Sequence, residues 1–358
     1  MSHPDQTAEF TSGKPIGVDV AAIERELDAL WRQASEHDAV MRARCWNLAA
    51  YAQTNDDFHW ARDLSESLGG KLPTRTLLLH HQPDLSGQEV EAWVSARCKM
   101  GPGGIKLLCF EEITIETQGR GVKHLPSLVR ALVESDTPTA VLWAGRPPED
   151  PSVALALLAG ADVLLLDTAR DYQPGDLASL ELQSSVGQVE LADAQWLRAA
   201  AFREAIAQAF DGARAGAASS IEKVTIRHQR SVRTSGLYLA GWLASRLGWG
   251  APERTEPRRE SYLFAGQGQP VRLELETEDA EFHCGICHVD LALWNGAVIH
   301  LRQIDGAIEV QLPEARPFTV ATTPFNAGAL LAAALSGRGR DKLFAAALHR
   351  ASEIDRVR

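Results

Sequence analysis

From Val18 the segment VDVAAIERELDALWRQA places Ile23, Leu27, Leu30 and Trp31 at i, i+4, i+7 and i+8. That spacing predicts an amphipathic helix with one face turned to a core. Short apolar runs then alternate with helical spacing. RCWNLAAYA (44–52), TLLLHH (76–81), AWVSARC (92–98), IKLLCFEEITIE (105–116), PTAVLWA (138–144) and ADVLLLD (161–167) read as strands. HLPSLVRALVES (124–135) and PSVALALLAG (151–160) read as helices between them. Near-continuous apolar strands separated by helices predict an α/β fold, a largely parallel mixed sheet flanked by helices on both faces. GPGG (101–104) separates two adjacent strands and predicts one hairpin that interrupts the parallel order.

Asp193 begins DAQWLRAAAFREAIAQAFD, read as one long helix, after which the pattern changes. IEKVTIRHQ (221–229) reads as a strand, followed by a helix and then ESYLFA, PVRLELETE, FHCGICHVDLALW, AVIHLRQ and AIEVQL. Asn295-Gly296 and Asp305-Gly306 separate the last three strands and predict an antiparallel meander. Two helices close the chain. The expected organisation is a mobile N-terminal arm at 1–17, an α/β domain at 18–212 and an α+β domain with the meander at 213–358.

The helix GLYLAGWLASRLGW (236–249) has three faces. Leu239, Leu243 and Leu247 form one; Gly241, Ala244 and Gly248 form a strip with almost no side chain; Tyr238, Trp242 and Trp249, flanked by Ser245 and Arg246, form the third. A helix apolar on nearly every side is either deep in a core or shared with a partner. Both readings of the aromatic arc stay open, as internal domain docking or as a partner contact. The helix from Asp193 raises the same choice, since Trp196, Arg198 and Arg203 sit among alanines. Arg203 reads either as a stem packed across the core with its head paired to an acid or as an anion or partner contact.

Composition narrows the function classes. The 358 residues are 45% hydrophobic and 23% charged, which is ordinary for a globular chain of about two domains. With 47 acidic against 36 basic residues the formal charge is -11, and basic runs are absent, so nucleic acid and anionic membrane are not the expected partners. The longest apolar region, VALALLAGADVLLLD, is interrupted by Gly160 and Asp162 and is too short to span a bilayer. The N-terminal stretch has no basic start or apolar core of a secretion signal, and the five cysteines form no small-domain framework. A cytoplasmic setting is the expectation.

Candidate chemistry is sparse. HCGICH (283–288) contains a C-x-x-C, yet no second ligand pair accompanies it, and on an extended strand Cys284 and Cys287 point to opposite faces; no metal site is assigned. Cys98 and Cys109, brought together by the GPGG hairpin, are a possible redox pair or simply packed thiols. The first strand-to-helix turn, AAYAQTNDDF, lacks G-x-G-x-x-G, SLGGK lacks the spacing of a phosphate loop, and G-x-S-x-G is absent, so neither a nucleotide cofactor nor a catalytic residue is assigned. One alternative is a sugar-phosphate-binding protein or enzyme using the strand rim near Asp136 and Asp167, with Arg75 receiving the phosphate.

Together these segments resemble the glucose-6-phosphate dehydrogenase assembly protein family, OpcA. The resemblance runs from residue 18 to 249 through VDVAAIERELDALW, RCWNLAAYA, Pro73 and Arg75 of LPTRTLLL, CFEEITIE around Cys109, DTPTAVLW and ADVLLLDT. Its most specific parts are DAQWLRAAAFREAIAQAFD and LAGWLASRLGW. The chain departs from the family pattern at Ala144, where a second tryptophan is usual, at Phe202 in place of Trp, and at Gln195 in place of Asn. The resemblance implies a non-catalytic partner that promotes assembly and allosteric activation of glucose-6-phosphate dehydrogenase, supporting NADPH production in the pentose phosphate pathway by protein–protein interaction. On that reading Tyr238, Trp242, Arg246, Trp249, Trp196, Arg198 and Arg203 are the partner-binding or domain-docking candidates.

Overall fold

The computed structural model describes residues 7–11, 16–17, 19–34, 45–69, 72–100, 106–173, 175–279, 285–337 and 341–357. Its first half contains β1 (Thr7–Thr11), β2 (Ile16–Gly17), α1 (Val20–Ala34), β3 (Trp46–Ala52), α2 (Asn55–Gly69), β4 (Thr74–Gln82), β5 (Val90–Met100), β6 (Lys106–Gln118), α3 (Leu125–Leu132), β7 (Thr139–Trp143), α4 (Pro151–Leu158), β8 (Val163–Leu166), α5 (Asp176–Gly187) and β9 (Glu190–Asp193). There follow α6 (Ala194–Arg198), α7 (Ala200–Ala209), β10 (Ile221–His228), α8 (Arg233–Leu247), β11 (Pro252–Arg254), β12 (Glu260–Ala265), β13 (Pro270–Thr277), β14 (Ile286–Leu293), β15 (Val298–Ile304), β16 (Ala307–Gln311), β17 (Phe318–Ala321), α9 (Ala327–Ser336) and α10 (Lys342–Arg356). These elements divide into two compact units, Met1–Asp167 with Val186–Ala192 and Ala327–Arg338, and Thr168–Ser185 with Asp193–Asn326 and Gly339–Arg358. Residues 193–212, assigned from the sequence to the first domain, therefore belong to the second unit by their contacts. Among the described residues no helix is long and apolar enough to cross a membrane.

The first unit is built on a nine-stranded sheet in the order β1-β5-β6-β4-β3-β7-β8-β9, with β2 also paired to β5. Strands β6, β4, β3, β7 and β8 run parallel, and β5 pairs antiparallel with β6, as the hairpin pattern predicts. The turn residues 101–105 lie outside the described residues. Thr7–Thr11, expected in a mobile arm, instead pairs antiparallel with β5 from Thr7↔Lys99 to Thr11↔Ser95. An unpaired edge offers backbone donors and acceptors to any extended segment within reach, a property of the sheet and not of the arm's own sequence.

Period-two alternation sets the helix layers. Arg75 and Glu111 face α1, whose Ile23, Leu27, Leu30 and Trp31 are all buried as their spacing predicts. The next residues, Thr76 and Glu112, face α2 through Ser65 and Arg62. The central strands have nearly unbroken burial, and Tyr51 and Trp143 meet edge to face at 5.9 Å.

The second unit is an eight-stranded sheet ordered β11-β12-β13-β10-β14-β15-β16-β17. Among the described residues its strands pair antiparallel except for β10 with β13. The meander β14-β15-β16 turns at Asn295-Gly296 and Asp305-Gly306 as expected, and β17 extends it by a strand that the sequence reading did not include. One face of the sheet carries the apolar alternation and receives α7 and α8, while α10 packs on α8. The long helix expected from Asp193 is broken at Ala199, whose ψ of 0° ends α6 and starts α7. Uninterrupted helix propensity through LRAAAF hides that break, on either side of which Trp196 and Phe202 are both buried.

Candidate functional site

The residues singled out from the sequence converge in the second unit around α6, α8 and α10. Asp193 caps α6, its Oδ1 accepting from the Gln195 amide at 2.8 Å. Its Oδ2 accepts the Tyr238 hydroxyl at 2.6 Å. Burial first, then the adjacent Asp193 charge, pushes that phenol well above its usual range, so it serves as a hydrogen donor. Trp196 stacks on Phe344 at 5.0 Å, meets Tyr238 edge to face at 6.5 Å and donates its Nε1–H to Asp341 Oδ2 at 2.8 Å. Asp341 in turn caps α10 by accepting from Leu343 and Phe344. Two capping carboxylates thus also anchor the two large polar-tipped aromatics.

Arg203 lies over the Trp196 ring, 3.4 Å from its centroid, and donates to the Trp196 carbonyl at 2.7 Å. Desolvation lowers its pKa to about 10, opposed by the Asp341 charge. Both sequence readings of this residue have a basis here: its stem packs internally and the side chain as a whole stays half-buried, with one hydrogen bond and no ion pair among the described residues. Arg198 stacks over Phe325 at 4.3 Å. Phe325 and Leu343 are 40% and 49% exposed. Neither was identified from the sequence, although Phe325 in the polar stretch TTPFNAG is the kind of isolated aromatic that signals a contact.

The three faces predicted for α8 are met in part, since Leu247 is half-buried and Gly248 is exposed with no backbone against it. Leu239 and Leu243 are buried, and the small strip is met by another backbone: a β-carbon on Gly241 would overlap the Ala347 carbonyl and lie 2.7 Å from the Ala351 nitrogen. Gly248, at φ 63°, ends the helix in the left-handed region. On the aromatic arc Tyr238 and Trp249 are buried, the latter against Phe264 at 5.3 Å, whereas Trp242 is half-buried and Arg246 exposed. Gln195, where the family pattern has Asn, is fully buried and accepts the Ser235 hydroxyl at 2.7 Å. Phe202 is buried, keeping the aromatic volume, and Ala144 fills a fully enclosed position in the first unit.

The strand-rim alternative fares differently. Asp136 precedes β7 and Asp167 follows β8, and these neighbouring strands are parallel, so the two carboxylates lie at opposite edges of the sheet. Arg75 is 2% exposed and is enclosed by Glu24, Glu111 and Glu134, the last at 2.6 Å. Three carboxylates leave it no capacity for a phosphate. At the first strand-to-helix turn the buried Asp57 sits in the opening turn of α2, bonded to Thr54 at 2.7 Å and pressed against Gly145. A carboxylate there satisfies the positive end of the helix and repels the pyrophosphate that such a turn holds in dinucleotide-binding folds.

The backbone register sets Cys98 directly opposite Cys109, as the hairpin reading requires, while the thiols lie outside the described part of the structure. Within HCGICH, His283 and Cys284 also lie outside it. Cys287 is 2% exposed and disulfide-bonded, so it is more than a strand-packing thiol. Cys45 is exposed and free.

Two family profiles match the chain. The glucose-6-phosphate dehydrogenase subunit N-terminal domain covers residues 65–182 and the corresponding C-terminal domain covers 189–348. Curated relatives carrying the name OpcA and assigned by name to the OxPP cycle occur in Nostoc punctiforme, 29% identical over 52% of this chain and 40% of the relative, and in Synechocystis sp., 27% identical over 52% and 39%. The matched region is thus less than half the length of those relatives. Among solved structures, an NAD binding oxidoreductase from Klebsiella pneumoniae aligns with TM-score 0.50 at 10% identity over 87% of this chain and 96% of its own. A biliverdin reductase from Synechocystis aligns with TM-score 0.48 at 9% identity over 87% and 98%. At 10% identity the first of these alignments reports a shared fold and nothing about chemistry.

Proposed function

The chain belongs to the glucose-6-phosphate dehydrogenase assembly protein family, OpcA, and from that premise we propose that it is a non-catalytic, cytoplasmic partner that binds the dehydrogenase and favours its assembled, active form. The observation that carries this reading is the match of both family domains across the two halves of the chain. The site geometry supports it. The α2 N-terminus presents acidic side chains where a cofactor phosphate would sit, and the two rim carboxylates are separated by the length of the sheet. The second unit, in contrast, carries arginines stacked on aromatics beside exposed apolar side chains, a composition typical of interface anchors.

Activation on this reading is a coupling free energy: the chain binds the active or oligomeric dehydrogenase more tightly than the inactive form. The docking candidates are Phe325 with the Arg198 stacked on it, the exposed Leu343, Arg203 over Trp196, and the accessible members of the α8 arc, Trp242 and Arg246. The test mixes purified chain with the dehydrogenase of the same organism and measures complex mass and activity. Complex formation and raised activity are expected, with Trp242→Ala and Phe325→Ala weakening binding at least about tenfold. A dehydrogenase whose size and activity ignore the wild-type chain ends the proposal.

A further inference from the structure

A cleft of about 640 Å³ opens in the first unit at the carboxyl ends of β3 and β4. This is the edge at which parallel sheets take ligands, and the size lies within the usual range for small-molecule sites. Its floor is neutral and polar. Tyr51 and His81 are almost fully enclosed, with the phenol oxygen 2.8 Å from His81 Nδ1. His81 Nε2 lies 3.0 Å from the Gly119 carbonyl, which only accepts, so Nε2 holds the proton and Nδ1 accepts from Tyr51. Gln53 donates to the same phenol at 3.0 Å. Burial pushes the phenol up to about 12 and the imidazole down, so both remain uncharged near neutral pH.

The walls bear the charge. One wall is a pair of segments packed backbone to backbone, where Gly119 at φ 44° stands against the Leu85 carbonyl and leaves no room for a β-carbon. It carries Arg120 and Lys123, both exposed and neither in an ion pair with a described residue. The facing wall, Pro148–Asp150, carries Glu149, whose charge reaches both Tyr51 and His81. Asp150 also lines the cleft; its Oδ1 caps α4 through Ser152 at 2.9 Å and 2.6 Å, and the Lys123 charge acts on the same carboxylate.

Two exposed cations, Lys123 near enough to act on Asp150 and Arg120 without an ion pair among the described residues, together with exposed Glu149 over a hydroxyl and imidazole floor, match a ligand with an anionic head and a hydroxylated body. We propose that the cleft binds a phosphorylated polyol of hexose size, its phosphate between Arg120 and Lys123 and its hydroxyls donating to Glu149. Cationic fork and ammonium suit phosphate oxygens, and a carboxylate accepts two sugar hydroxyls at once. The acidic first turn of α2 excludes the larger dinucleotides from the same edge.

Titration calorimetry on the full chain alone tests this, with glucose 6-phosphate as probe and glucose and inorganic phosphate as its separated halves. Saturable binding of glucose 6-phosphate is expected, at least about tenfold tighter than either half. The double variant Arg120→Ala/Lys123→Ala should lose at least about tenfold in affinity. Glu149→Gln should weaken glucose 6-phosphate while leaving inorganic phosphate unchanged. All three side chains are exposed, so unaltered circular dichroism melting serves as the folding control. Absence of saturable binding, affinity indifferent to the double variant, phosphate binding as tightly as the sugar phosphate, or tighter binding of both probes to Glu149→Gln would each overturn the proposal. The dehydrogenase is absent from this experiment, so its outcome is separable from that of the assembly reading.

Discussion

The Tyr238 hydroxyl donates to Asp193 Oδ2 at 2.6 Å across 45 residues of sequence, joining the middle of α8 to the cap of α6. Both side chains are fully buried. Removing the donor leaves an anionic oxygen short of a partner in a site water does not reach. Tyr238→Phe should cost about 1–3 kcal/mol, read as a lowered urea midpoint with unchanged slope.

Gly241→Ala reverses the ordinary helix preference. Alanine is favoured in an exposed helix by about 1 kcal/mol, yet here the added carbon meets the α10 backbone at Ala347 and Ala351. Backbone yields less readily than a side-chain tip, so a net loss of about 1–3 kcal/mol is expected. Thermal unfolding of the variant at or above the wild-type temperature would refute the close approach of these helices.

Arg75→Ala should destabilise by about 3–5 kcal/mol, because Glu111, 1% exposed, would lose the cation beside it. Trp31 Nε1 would remain as a donor to that carboxylate. Lys123→Ala, at an exposed cation, should change stability by no more than about 0.5 kcal/mol. Equal effects in chemical denaturation would show Arg75 to be as free as a surface residue.

His228 is buried, its Nδ1 donating to the Gln229 carbonyl and its Nε2 facing no partner. Burial lowers its pKa; the nearby Arg233 lowers it further and Glu260 opposes. A histidine depressed in the folded state binds fewer protons there than in the unfolded chain, whose value is about 6.5. Stability contributed by the neutral ring is therefore full above that value and declines as pH falls through it. His80 and His81 shift in the same direction. Stability should fall between about pH 7.5 and 5.5, and His228→Gln, which keeps a donor for Gln229, should flatten that decline. An identical slope in the variant would assign it elsewhere.

Periodicity made the elements legible. The positions of Ile23, Leu27, Leu30 and Trp31 dictate both α1 and the face it buries, and unbroken apolar runs dictate parallel strands covered on two sides. Asn-Gly and Asp-Gly encode their hairpins because Gly296 at φ 82° and Gly306 at φ 68° supply the left-handed position that each turn requires. The break at Ala199 was not legible, since every residue around it favours helix. The unit boundary was hidden for a related reason: α9 contacts α2, hundreds of residues earlier. The cleft was also hidden, because Tyr51 comes from a strand end, Arg120 and Lys123 from the segment 119–124 and Glu149 from the loop before α4, and these share no motif.

By itself the sequence determined the α/β and meander architecture and the three faces of α8, through local periodicity and turn chemistry, and its motifs pointed to the family. Only the tertiary structure decided which polar groups are already occupied. Arg75 is enclosed by carboxylates, Tyr238 is spent on Asp193, and Arg203 stays half-buried over Trp196. The physical reason is that a side chain's availability depends on partners brought close by folding, and residue type and spacing carry no record of those distances.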